Sequence, residues 1–219
     1  MDSQQPKNQS RGILKYVAIG CAVVILLVGV GGFFAYKGIK SFLSGVSEKY
    51  TSAQPMALPT VDASEDEALS VMDRVEAFTD ALDRNASPSP LILTSRDINV
   101  LISNHPKWKK MAGKAYMTID GERIKGQISI PLNEIGNLFE GRYLNGSAVF
   151  RLGMSSGRLL AFIDSIEVGG NPLPEEFMGT IRAQNFAETA NEDPDIIAVL
   201  EKLESISIRD DSIVITPIP

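Results

Sequence analysis

Cysteine is all but missing from this chain. Its one representative, Cys21, lies inside the most apolar stretch, so neither an intrachain disulfide nor a thiolate metal cluster can form. A chain without disulfides fits the cytosol and a bacterial envelope equally well. Histidine is as scarce: His105, the single imidazole, precedes a proline at an expected helix end, with nothing near it at metal-ligand spacing. The phosphate-cradling and nucleophile-elbow motifs are absent too, with no Walker loop, no G-x-G-x-x-G and no G-x-S-x-G. Two acidic pairs remain. Glu175-Glu176 follows a proline at a helix start, where carboxylates suit the dipole, and Asp210-Asp211 falls where a hairpin turn favours Asp. These absences predict a non-enzymatic protein with no catalytic residue, no cofactor and no bound metal.

Positive charge is also in short supply beyond the first fifty residues. From residue 51 onward, 15 Lys and Arg stand against 25 Asp and Glu, a net of −10. Duplex binding depends on neutralising phosphates with a basic surface, so nucleic acid is excluded as an expected partner.

One long apolar run is present: "YVAIGCAVVILLVGVGGFFAY", residues 16–36. It carries no charge, and at about 1.5 Å per residue it matches a bilayer core of roughly 30 Å. Tyr16, Phe33, Phe34 and Tyr36 stand near its ends, at the depth aromatic rings prefer. A cleavable signal peptide has a shorter apolar region and a small-x-small exit, whereas this exit reads "FFAYKGIKSF". The expectation is an uncleaved anchor in a cell membrane. Each flank nets +2, Lys7, Arg11 and Lys15 against Asp2 on one side and Lys37, Lys40 and Lys49 against Glu48 on the other. A short basic tail ahead of a first span favours a cytoplasmic N-terminus, with the C-terminal domain outside. The expected organisation is a tail (1–15), a transmembrane helix (16–36), a juxtamembrane linker (37–60) and an extracytoplasmic domain (61–219).

Within that domain the hydrophobic period changes along the chain. Ser64 and Glu67 form a capping-box pattern, and Ala68, Val71, Met72, Val75, Phe78 and Leu82 recur at helical spacing, predicting one amphipathic helix over 62–84. A short strand at 91–93 and a helix from Thr94 or Ser95 to Asn104 follow, with Ile98, Leu101 and Ile102 inward. Period-two alternation then predicts strands at 115–119, 124–130, 147–154 and 158–168, and a closing hairpin around Asp210-Asp211. Helical segments are expected at about 174–187 and 194–204. Cleanly alternating strands pair antiparallel. The predicted class is therefore α+β: a single domain of antiparallel sheet with helices packed on one face, on a tether.

The stretch "IEVGGNPLPEEF", 166–177, reads as a strand end, a tight corner and a helix start. Gly169 and Gly170 permit the turn, Pro172 cannot donate to a ladder, and Pro174 is pre-set for a first helical turn. Together with "LTSRDINVLI" (93–102) and "LESISIRDDSIVITP" (203–217) it resembles the YpmS-like single-span bacterial membrane-anchored proteins and the related TULIP-like extracytoplasmic lipid-binding proteins. Leu93, Thr94, Asp97 and Asn99 match the first element, Gly170, Pro172, Leu173 and Pro174 the corner, and Ile206, Ile208 and Asp210 the last. Asp211 stands where that hairpin has glycine. The resemblance implies an N-in anchor, an outside domain and lipid handling, and it carries over no catalytic residue.

Two groups of residues are candidates for contact. Leu159 to Ile163 is apolar on both faces, which suits a doubly covered central strand or a second face lining a groove for an apolar ligand, with Leu160, Phe162 and Ile166 as its surface. "HPKWKKM" sets Trp108 among Lys107, Lys109 and Lys110, which suits either anionic headgroups or an indole packed on the sheet with solvated lysines. The expected function is a membrane-tethered envelope module that binds lipid or another apolar ligand. Its alternative is a structural adaptor docking on another envelope protein through the 62–84 helix or a sheet edge.

Overall fold

The computed structural model describes residues 50–106, 108–134 and 141–219. The expected tail and span lie outside these residues, and no helix among the described residues is long and apolar enough to cross a membrane. The class is α+β with antiparallel pairing throughout.

Helix α1 spans Glu65–Asp83, with the Ser64 hydroxyl accepting from the Glu67 N–H at 3.1 Å. The return half of the expected capping box is replaced, because the Glu67 carboxylate takes Arg96 instead. Strand β1 (Leu91–Thr94) runs directly into α2 (Ser95–Asn104). Here the capping box is complete: Thr94 Oγ1 accepts from the Asp97 N–H, and Asp97 Oδ2 accepts from the Thr94 N–H at 2.9 Å. Ile98, Leu101 and Ile102 point into the core as their spacing predicts.

The alternation predicts one sheet; the strands form two. The larger has the order β2-β3-β4-β5-β6, from Ala115–Asp120, Arg123–Pro131, Tyr143–Ser155, Arg158–Val168 and Asn171–Pro172. The smaller has the order β1-β8-β7, with β7 at Leu203–Arg209 and β8 at Ser212–Pro217. Inner residues of both sheets, among them Met117, Ile124, Phe150, Leu159, Ile206 and Ile215, share one continuous core with α1 and α2. Gly126 makes room inside it. A Cβ there would stand 3.1 Å from Met117 Sδ and 3.4 Å from a Phe150 ring carbon.

The corner at 168–175 forms as its residues dictate. Gly169 and Gly170 adopt φ of 59° and 76°, Pro172 sits in the two-residue edge strand β6, and Pro174 caps α3 (Glu175–Ala183). A short helix that the spacing did not predict, α4 (Glu188–Glu192), follows. The second expected segment forms as α5 (Pro194–Leu200), started by the Asp193 side chain accepting from the N–H groups of Asp195 and Ile196 and ending short of the expected 204.

The segment read as linker is, from residue 50, bound to the large sheet. Tyr50 and Thr51 are buried, Ser52 bridges Tyr143, and the Met56 N–H donates to Ser129 Oγ and Asn145 Oδ1. That strap explains why Ser129 is buried while Ile130, expected inward, is only half-buried.

Candidate functional site

Strand β5 does not bring Leu160, Phe162 and Ile166 together. Its register against β4 shifts between Val149 and Phe150: Val149 pairs with Ser165 and Phe150 with Ile163, leaving Asp164 as the extra residue of a bulge. An extra residue reverses the facing of everything beyond it. Leu160 and Phe162 alternate with the core residues Leu159, Ala161 and Ile163 and lie half-buried on the opposite face. Ile166, past the bulge, packs against the core. The three therefore line no common groove.

Trp108 is drawn inward. It is 8% exposed, belongs to the main core, and its ring lies 4.8 Å from that of His105 at 38°. An indole placed there packs the fold rather than reaching a headgroup. Lys110 is exposed, whereas Lys107 and the Lys109 side chain lie outside the described residues. No group of three or more His, Cys, Asp or Glu among the described residues is arranged to hold a metal ion.

The surface concavity lies elsewhere, along the outer side of α1. A shallow, open depression is lined by Asp66, Leu69, Ser70, Asp73, Arg74 and Ala77. Steps of three and four residues place these side chains on one helical face, opposite Ala68, Val71, Phe78 and Leu82 in the core. Leu69 is 47% exposed, and Ile92, Phe177 and Ile218 are exposed to a similar extent elsewhere on the surface. Arg74 joins this face to the small sheet by donating to the Ile92 carbonyl at 3.3 Å and pairing with Asp97. Strand β1 is the edge of that sheet, and Ile92, 49% exposed, points away from the core.

Charge on this face is mostly negative. Asp66, Asp73, Glu76 and Asp80 stand along α1, Arg74 is neutralised by Asp97, and Arg84 at the helix end stands 3.9 Å from Asp80. A second tie fixes the helix orientation: Arg96 holds Glu67 through both carboxylate oxygens and donates to the Asp62 carbonyl at 3.0 Å. That hydrogen-bonded guanidinium holds the Glu67 carboxyl below its ordinary value, and the carboxylate in turn raises Arg96.

Some functional-looking residues escaped sequence reasoning. Asn99, Asn185 and Asn191 lie in helical patterns where an amide reads as merely polar, yet all three close sheet edges. Burial identifies two of them, Asn99 at 2% and Asn191 at 6% exposed, while Asn185 is half-buried. The pairing of Arg123 and Arg151 on Asp164 was equally invisible, because it depends on the β3–β4–β5 register.

No family model, no curated protein and no solved structure matches this chain.

Proposed function

We propose that the chain is a non-enzymatic docking module, held at the outer face of a cell membrane by the 16–36 anchor. It engages another envelope protein through the α1 face and the edge of β1. The observation that carries this reading is Leu69, exposed in the α1 depression and set among carboxylates whose charge Arg74 no longer offsets. An apolar residue ringed by acidic ones suits a partner segment that presents an apolar side chain between basic residues. Ligand handling inside the domain draws less support, because the bulge at Asp164 separates Ile166 from Leu160 and Phe162.

The test uses the full chain in its native membrane, solubilised gently and sized. The expected result is an assembly larger than the 23.7 kDa chain that dissociates in a Leu69→Lys, Ile92→Lys variant retaining its native circular dichroism. A variant assembly of unchanged size refutes docking through this face. A native species that carries only bound lipid supports the ligand reading instead.

A further inference from the structure

Three arginines converge on the bulged residue Asp164. Arg151 Nε donates to Oδ1 at 2.9 Å, Arg123 Nε stands 3.5 Å from Oδ2, and Arg182 Nε donates to the backbone carbonyl at 2.9 Å. Arg182 is further spent on Glu175. Arg123 and Arg151 are not. The closest approach of each to Asp164 is through Nε, and their Nη groups make no hydrogen bond among the described residues.

The sheet sets the two side by side. Ile124 pairs with Phe150, so the same register extended by one residue places Arg123 opposite Arg151 on neighbouring strands. Like charges directly opposed destabilise a sheet, and Asp164 beside them and Asp120 opposite Arg123 on β2 offset that repulsion. Arg151 is also laid over the Phe162 ring, with its guanidinium carbon 5.9 Å from the centroid. The result is two guanidinium groups side by side at one bulge, Arg151 hydrogen-bonded to Asp164 and Arg123 within ion-pair reach of it, with side chains 57% and 66% exposed on a domain that is acidic overall. Guanidinium forks match the oxygen spacing of a phosphate, and the hydrogen bond that orients Arg151 on Asp164 lowers the ordering cost of binding.

We propose that Arg123 and Arg151, seated on the Asp164 bulge, form an oxyanion site for a terminal phosphate group, free or carried on a headgroup. The ligand approaches over Phe162, away from the carboxylate of Asp120, the neighbour of Arg123 on β2. This site is independent of the α1 face. Water has access to it, so binding weakens as the salt concentration rises.

The test follows the arginine Nε–Hε resonances of the full chain in zwitterionic nanodiscs at constant chloride. Inorganic phosphate is added in one arm, and nanodiscs containing phosphatidic acid replace the zwitterionic ones in the other. Saturable shifts confined to Arg123 and Arg151, weakened about tenfold by Arg151→Gln and unaffected by Arg84→Gln, are expected. A response to phosphate alone identifies a free ion as the ligand, and a response to phosphatidic acid alone identifies a lipid headgroup. Shifts that do not saturate, or that spread equally over Arg84, Arg158 and Arg209, overturn the proposal. Unchanged backbone amide positions in Arg151→Gln separate loss of the site from loss of the fold.

Discussion

Asn99 pairs with Met117 as though it were a neighbouring strand: its Oδ1 accepts from the Met117 N–H at 2.8 Å, and its Nδ2 donates to the Met117 carbonyl at 2.6 Å. Strand β2 is an edge of the large sheet, so these backbone groups have no strand partner on that side. Helix α2 supplies the substitute, and Ser95 Oγ extends it by accepting from the Ile119 N–H at 2.7 Å. The aspartate and asparagine of "LTSRDINVLI" thereby acquire separate structural duties, Asp97 capping α2 and Asn99 closing the edge. Replacing Asn99 with Leu leaves a buried donor and acceptor unpaired, at a cost of about 2–4 kcal/mol. Urea unfolding of the full chain in detergent measures it. A cost below about 0.5 kcal/mol would mean that water satisfies the edge.

The other long edge is closed by the same device. Asn191 Oδ1 accepts from the Leu159 N–H at 2.8 Å and its Nδ2 donates to the Leu159 carbonyl at 2.9 Å, while Asn185 Oδ1 accepts from the Ala161 N–H at 2.9 Å. An uncovered edge is a template for another chain. The Asn185→Ala, Asn191→Ala double variant is expected to self-associate with rising concentration, seen by sedimentation. A strictly monodisperse variant would show that these amides serve stability alone.

The turn Asp210-Asp211 closes the last hairpin with both residues at positive φ, 51° and 53°. Side chains other than glycine adopt this region at a cost of about 1–2 kcal/mol each. Asp211 recovers part of it, since its Oδ1 accepts from the Gly121 N–H at 2.8 Å and ties the two hairpin turns together. No such bond is recorded for the Asp210 carboxylate. Asp210→Gly should therefore stabilise the protein, by up to about 1 kcal/mol after the entropy of the unfolded chain is counted. Asp211→Gly gains less. Thermal unfolding of both variants ranks them, and the reverse order would contradict the role given to the Gly121 contact.

Acid weakens the Glu67–Arg96 tie. Because Arg96 lowers the folded-state pKa of Glu67, the pair contributes stability above the ordinary carboxyl value of 4.5 and loses it as pH falls through the depressed folded value. Glu67→Gln is expected to be less stable than the parent at pH 7, and the gap should narrow as pH falls below 4.5. Melting temperatures from neutral to acid pH decide it; a gap that does not narrow at all would assign the loss to packing.

Elements with long, regular periods were legible. The spacing of Ala68, Val71, Phe78 and Leu82 located α1, and Thr94 announced α2, because caps and helical faces are local properties. The bulge was not read, though a trace of it stands in the chain: Ile163 and Ile166 are three apart across the polar pair Asp164-Ser165, an odd step for two residues on one face. The division into two sheets, the strap at 50–56 over Ser129 and the asparagine edges depend on which strands meet. That is decided by contacts far apart in sequence, such as Met56 with Asn145. Trp108 had two readings of equal chemical sense, and only its burial chooses packing.

The central claim, docking through α1, is tested most directly by a photoreactive residue at position 69 of the full chain in its own membrane. The account predicts one discrete protein adduct at position 69, abolished by Ile92→Lys and absent when the probe is moved to exposed Phe177. Adducts to lipid only, or equal labelling from positions 69 and 177, would contradict it.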